Sequence, residues 1–191
     1  MQEEWSLIEQ AREGDMRAFR TLVERHRKKV LWLAFDLTGD FQDAEDISQE
    51  TFIKMYKALP SFRGEARLGS WLHRITVNTW INFRRGCKGR MKRLEGPLDE
   101  RLDEGCVEVG NSGVPEAERK AEDHFTRKQI HRALDKLSDR ERSVFVMRHF
   151  HSLKLDEIGE ALQLAVGTVK TLNFRALNKM RDTLKVLSPE A

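Results

Sequence analysis

Asn78, Asn82 and Arg85 recur at steps of four and three within residues 70–86, with Trp71, Trp80 and Phe83 interleaved. Residues 81–93 hold six bases (Arg84, Arg85, Lys88, Arg90, Lys92, Arg93) and no acid. Amides and cations on one helix face beside aromatic rings suit single-stranded or melted nucleic acid, because bases stack on rings while cations follow phosphates. The plainer reading is that Trp71 and one of Trp80 and Phe83 belong to the core.

A second constellation lies at 154–177, KLDEIGEALQLAVGTVKTLNFRAL, which has helix-turn-helix spacing. Ile158 and Leu162 point inward, Gly159 is small where a second helix must cross closely, Leu164 fills the turn, and Val169 with Leu172 pack the second helix back. Lys170, Thr171, Phe174, Arg175, Asn178 and Lys179 lie off that stripe, as a major-groove reader requires. Gly167-Thr168 at the helix start offers N–H groups and a hydroxyl to a phosphate. The bland alternative is a helical hairpin with a basic surface.

Charge marks a third surface. Residues 36–50 contain six acids and no Lys or Arg, and a single-sign block suggests a partner of opposite charge. Asp43, Asp46 and Glu50 share a helix face, but no second chelating group accompanies them as a Mg²⁺ site would need. His149-x-His151, with His124 and His131 nearby, lacks carboxylate or Cys at ligand spacing, so ordinary histidines are favoured over a metal site. With no H-E-x-x-H, phosphate-binding G-x-x-x-x-G-K, nucleophile elbow or catalytic carboxylate pair, catalysis is not expected, and no cofactor is implied.

The elements that must position these groups read as helices. Apolar residues recur at three- and four-residue steps: Phe19, Leu22, Val23, Val30, Leu33, Ala34, Leu37, then Ile47, Thr51, Met55 with Phe52, Tyr56, Leu59. A short helix covers about 5–12, Asp15 caps the next, and Thr38-Gly39-Asp40 ends one helix and caps another. Pro60 ends the third helix, a loop runs from 61 to 69, and a helix follows over about 70–85. Ser138-Asp139-Arg140-Glu141 matches a capping box. In the second half Phe125, Ile130, Leu134 and Leu137 form one stripe, and shorter helices follow at 154–162 and about 166–187. No stretch alternates with period two. The fold class is therefore all-α: two small helical domains, 1–86 and 119–191, joined by a flexible acidic linker at 87–118. From 94 onward that linker has eight acids against Arg101 alone. Such a stretch cannot bury enough apolar area to offset the entropy of ordering it. Pro115 suits a helix start.

The chain has 191 residues and a net charge of +3, which conceals segment charges of +1, −3 and +5 for 1–86, 87–118 and 119–191. Hydrophobic residues make up 39% and charged residues 34%, a balance for exposed helices rather than a thick core. No apolar run is long enough to span a bilayer and no signal-peptide pattern opens the chain. Cys87 and Cys106 are too few for a disulfide scaffold. These features read as a reduced, cytoplasmic protein without membrane insertion.

Three motifs in order resemble the extracytoplasmic-function (ECF) group of RNA polymerase sigma factors: Asp43-Ala44-Glu45-Asp46-Ile47-Ser48-Gln49-Glu50-Thr51-Phe52 and its continuation to Leu59; Ser70-Trp71-Leu72-His73-Arg74-Ile75 with Asn78; and Val166-Gly167-Thr168-Val169-Lys170-Thr171. The resemblance covers the chain except 87–118. It implies that Asp43, Glu45, Asp46, Gln49 and Glu50 bind the clamp helices of the polymerase largest subunit. It also implies that the loop from Arg63 to Ser70, with Trp71, Arg74, Asn78, Asn82 and Arg85, reads and opens the −10 element. Thr168, Lys170, Thr171, Phe174, Arg175 and Lys179 would take the −35 element as duplex DNA. The linker would thread toward the polymerase active-site channel, and an anti-sigma factor would hold the protein inactive. This chain departs from the group's pattern at Asn82 (commonly Asp), Asn173 (Ile or Leu), Leu172 (Arg), Ala165 (Pro) and Gln163 (often Gly). The rivals are a stand-alone helix-turn-helix regulator, which would bind duplex tightly without polymerase, and a nucleic-acid enzyme, for which the catalytic groups are lacking.

Overall fold

In the computed structural model, residues 2–64, 66–94 and 129–187 are described, and every described element is helical. Helix α1 (Gln2–Arg12) is followed by Gly14 at φ +99°, and Asp15 then caps α2 (Met16–Thr38), its Oδ1 accepting from the N–H groups of Arg17 at 2.7 Å and Ala18 at 3.4 Å. Gly39, in the left-handed region at φ +83°, closes α2 with its N–H donated to Phe35 O. Asp40 caps α3 (Phe41–Ala58) by accepting from Asp43 N–H at 2.8 Å. Pro60 falls in a 3₁₀ turn, Leu59–Ser61, that turns the chain toward α4 (Leu68–Leu94).

α4 runs past the expected end near 85. Residues 87–94, CKGRMKRL, contain good helix formers with Gly89 alone against them, and a run of bases suits the negative C-terminal end of a helix dipole. The rest of the expected linker, with Pro115, Cys106, His124 and Phe125, lies outside the described residues, as does the side chain of Cys87.

The second domain opens with helical residues 129–135 (α5), then α6 (Asp139–His149), α7 (Leu155–Leu162) and α8 (Val166–Leu187). The capping box is formed: Ser138 Oγ accepts from Glu141 N–H, and Glu141 Oε2 accepts from Ser138 N–H at 2.9 Å. Ile130, Leu134 and Leu137 face inward as their spacing predicts.

Two apolar clusters hold the molecule. One joins Ile8, Leu22, Val30, Met55, Leu59, Phe62, Leu68 and Leu72 at one end of the first helical bundle. The other begins with Leu33, Leu37, Ile47, Val77 and Trp80 and continues without a break into Leu134, Val146, Met147, Ile158, Val169 and Met180 of the second domain. Polar contacts seal this junction. Arg84 Nη1 meets Asp139 Oδ1 at 2.9 Å, and His151 Nε2 meets Asp36 Oδ2 at 2.9 Å. Arg142, 2% exposed, is paired with Asp135 and sets its guanidinium 5.7 Å from the centre of the Trp80 ring. An arginine buried against an indole face keeps its charge without water. Periodicity identifies each bundle but not the partner of its faces.

Candidate nucleic-acid interface

α4 carries the first surface. At 100° per residue, Trp71, Arg74, Asn78, Asn82 and Arg85 fall within an arc of about 80° along some 21 Å of helix. Asn78, Asn82 and Arg85 are exposed, whereas Trp71 and Arg74 are half-buried. Ser70 lies in the first turn, half-buried beside that line, and Arg63 is exposed in the loop before it. Trp71 lies against buried Phe62 with ring centres 4.7 Å apart and planes tilted by 36°. Of the other two aromatics, Trp80 is 2% exposed and belongs to the core, with Arg84 over its ring at 5.5 Å, and Phe83 is half-buried against the same cluster.

On the inner side of α4, His73 is half-buried and its Nδ1 has no hydrogen-bond partner. Burial pushes its pKa down to about 4, with nearby His151, Lys29 and His26 adding to the effect and Glu157 opposing it. It is therefore a neutral ring at physiological pH.

α8 carries the second surface. Val169, Ala176 and Met180 are buried, while Thr168, Lys170, Thr171, Arg175 and Phe174 (65% exposed) face water. Thr171 Oγ1 donates to Gly167 O at 3.0 Å, within the first turn. The turn into α8 is built as the spacing predicts. Gln163 takes the left-handed conformation at φ +55° despite its side chain, and a Cβ on Gly159 would meet Leu164 O at 2.8 Å. Lys179 is drawn to the edge of the reading face, where its Nζ donates to Glu141 Oε2 at 2.7 Å. Burial opposes ionisation of Glu141, yet Lys179 and the Ser138 donors outweigh it and hold its carboxyl below the ordinary value. Asn173 finds a polar partner 3.2 Å away in His149 Nε2, and the His149 ring lies against Phe145. These contacts use His149, and the pairing with Asp36 uses His151, of the histidines weighed above.

The acidic face of α3 is the third surface. Ala44, Ile47, Ser48, Thr51 and Met55 are buried, leaving Glu45, Asp46, Gln49 and Glu50 exposed and Asp43 half-buried. Desolvation, then Asp40 and Asp46, push the Asp43 carboxyl up. Glu50 leans toward Lys54 at 3.4 Å. Tyr56, expected to line the core, is instead 49% exposed and meets Phe19 edge-on at 5.1 Å. With Met16, Phe52 and Ile53 it borders an apolar groove of about 620 Å³ between α2 and α3 that reaches Gln49. Sequence reasoning missed this groove because core and groove residues follow one another on the same helix with identical chemistry.

The Sigma-70 region 2 family matches residues 22–90, and the Sigma-70, region 4 family matches residues 133–182. The chain is 32% identical to the RNA polymerase sigma-H factor of Pseudomonas aeruginosa, covering 100% of this chain and 98% of that one. It is also 32% identical to the ECF RNA polymerase sigma factor SigW of Bacillus subtilis, over 94% and 96% of the two chains. Its fold is similar to that of CnrH solved in complex with the cytosolic domain of CnrY, with a TM-score of 0.66 at 24% identity over 94% of this chain and 96% of that one. It is similar again to the sigma factor RpoE of Bartonella quintana solved in complex with the anti-sigma factor NepR, with a TM-score of 0.64 at 20% identity over 90% and 99%. Two helical surfaces facing water, an acidic third, and relatives matched along the whole chain lead to one conclusion: this protein belongs to the ECF RNA polymerase sigma factors of the sigma-70 family.

Proposed function

We propose that the three surfaces divide the work of promoter-directed initiation. The acidic line Asp43, Glu45, Asp46, Gln49, Glu50 and the apolar groove beside it dock on the clamp helices of core polymerase, charge setting the orientation and the groove supplying apolar contact. The loop at Arg63 and the α4 line from Ser70 through Trp71, Arg74, Asn78, Asn82 and Arg85 hold the opened −10 strand. Its exposed amides bond base edges, and its cations follow the backbone. α8 enters the major groove of the −35 duplex with Lys170, Thr171, Phe174 and Arg175, while Thr168 at its start and Lys179 at its edge contact phosphates.

The observation that carries this reading is that α4 and α8 each set a line of exposed polar groups opposite a buried apolar one, on two domains of a sigma factor. Such a protein positions DNA and polymerase and contributes no catalytic step of its own. We place it in the cytoplasm, where polymerase acts, and no helix among the described residues is long and apolar enough to cross a membrane. RpoE was solved bound to an anti-sigma factor, and control by a partner of that kind is proposed here too.

Reversing charge at two exposed positions, Asp46→Lys with Glu50→Lys, tests the docking surface. Pull-down with purified core should show affinity falling about tenfold with helix content unchanged. Undiminished affinity would refute the assignment of α3.

A further inference from the structure

Helix α1 lies before the residues that the region 2 family matches, yet it reaches the loop that precedes α4. Ile8 and Ala11 anchor α1 in the same cluster as Phe62, Leu68 and Leu72, and Glu4 ties it to His26 of α2 at 2.8 Å. So fixed, α1 lays the Trp5 indole directly on Gly64. A Cβ there would meet the indole Cη2 and Cζ3 at 2.4 Å, and Gly64 is held in the left-handed region at φ +73°. Trp5 Nε1–H donates to Glu9 Oε1 at 2.9 Å, which sets the ring's direction. Its ring centre lies 6.4 Å from that of Phe62, which lies in turn against Trp71. The backbone of the loop is braced at its ends by Phe62 N–H to Leu59 O at 3.0 Å and Trp71 N–H to Arg67 O at 3.1 Å. Between these braces Gly64, the residue with the widest conformational freedom, rests against the indole.

We propose that Trp5 is a positioning residue for −10 recognition: by covering Gly64 it fixes the backbone beside Arg63, ready to receive an unpaired base of the −10 strand. The inference rests on the assignment of that loop and α4 to the −10 element. A preformed loop receives a base without first being ordered, so binding keeps free energy that ordering would consume. Loosening the loop therefore weakens discrimination between the right and wrong base more than it weakens docking on polymerase.

The test uses the full-length protein reconstituted with core polymerase on a template selected from genomic fragments by the unaltered holoenzyme. Run-off transcription compares that template with versions carrying single substitutions in the −10 or the −35 element. Trp5→Ala should reduce −10 discrimination about tenfold, leave −35 discrimination unchanged, and lose less when the ring is kept as Trp5→Phe. Gly64→Ala should reproduce the Trp5→Ala loss, and the double variant should be no worse than either single one, since both disturb the same contact. Should Trp5→Ala fail to fold, Gly64→Ala and Trp5→Phe carry the test. Wild-type −10 discrimination in folded Trp5→Ala or Gly64→Ala overturns the proposal. Asn78→Ala separates the two levels: if it abolishes −10 discrimination while the Trp5 and Gly64 variants keep it, the role of Trp5 alone is refuted. If it too has no effect, the −10 assignment falls and the inference with it.

Discussion

Acidification should weaken this fold through His73. The ring is neutral in the folded protein, with its pKa lowered from the ordinary 6.5 to about 4, because burial and the neighbouring His151, Lys29 and His26 disfavour the cation. In the unfolded chain the same group takes up a proton near 6.5. The unfolded state therefore binds more protons between the two values, and stability present above 6.5 is lost as the pH falls toward 4. At about pH 5.5 the unfolded ring is about nine-tenths protonated and the folded ring a few per cent, a loss of about 1.4 kcal/mol relative to pH 7.5. Below about pH 4 the loss reaches about 3 kcal/mol. His73→Leu removes the titration and also removes the unpartnered Nδ1, so the variant should fold at neutral pH. Urea unfolding followed by circular dichroism at about pH 7.5 and 5.5 reads the effect as a difference of differences, which cancels every other titrating group. Wild type should lose about 1.4 kcal/mol more than the variant over that interval. Equal losses in the two proteins would refute the claim that His73 is held neutral by burial.

Two further outcomes follow from close contacts. Gly159→Ala puts a methyl group 2.8 Å from a backbone oxygen that cannot swing aside, so thermal melting should register a loss of about 1–3 kcal/mol. Holoenzyme carrying this variant should lose −35 dependence while Asp46 and its neighbours still dock on core. Arg84→Glu sets like charges at the junction of the two domains, opposite Asp139. Small-angle scattering should show a larger radius of gyration at unchanged helix content, and Asp139→Arg in the same chain should restore the smaller one. An unchanged radius in Arg84→Glu would refute a role for this pair in holding the domains together.

Much of the architecture is local and so was legible in the residues. Asp15, Gly39, Asp40 and the Ser138–Glu141 box act within four residues of where they stand, and each does what its type predicts. The inward stripe of α3 and the crossing of α7 and α8 over Gly159 follow from spacing, as do the exposed lines of α4 and α8, since a helix maps sequence onto faces by a constant angle.

What the sequence withheld are choices among chemically equal residues and contacts between distant segments. Trp80 and Trp71 have the same ring on the same helix, yet Trp80 is buried, with Arg84 of its own helix and Arg142 of the second domain over its ring, and Trp71 is left half-buried. Tyr56 could have completed the core. It lines a groove between α2 and α3 instead, in edge contact with Phe19. Lys179 has the spacing of a DNA contact but lies within reach of Glu141, 38 residues away. Nothing in the order of residues announces that Trp5 covers Gly64, or that Asp36 meets His151, 115 positions on. By itself the sequence determined helices, caps, buried stripes and the family, because each depends on neighbours in the chain. Tertiary structure alone decided which faces meet and which stay open to DNA and polymerase, because a side chain's surroundings are set by whatever surface folding brings to it, and helical period carries no record of that surface.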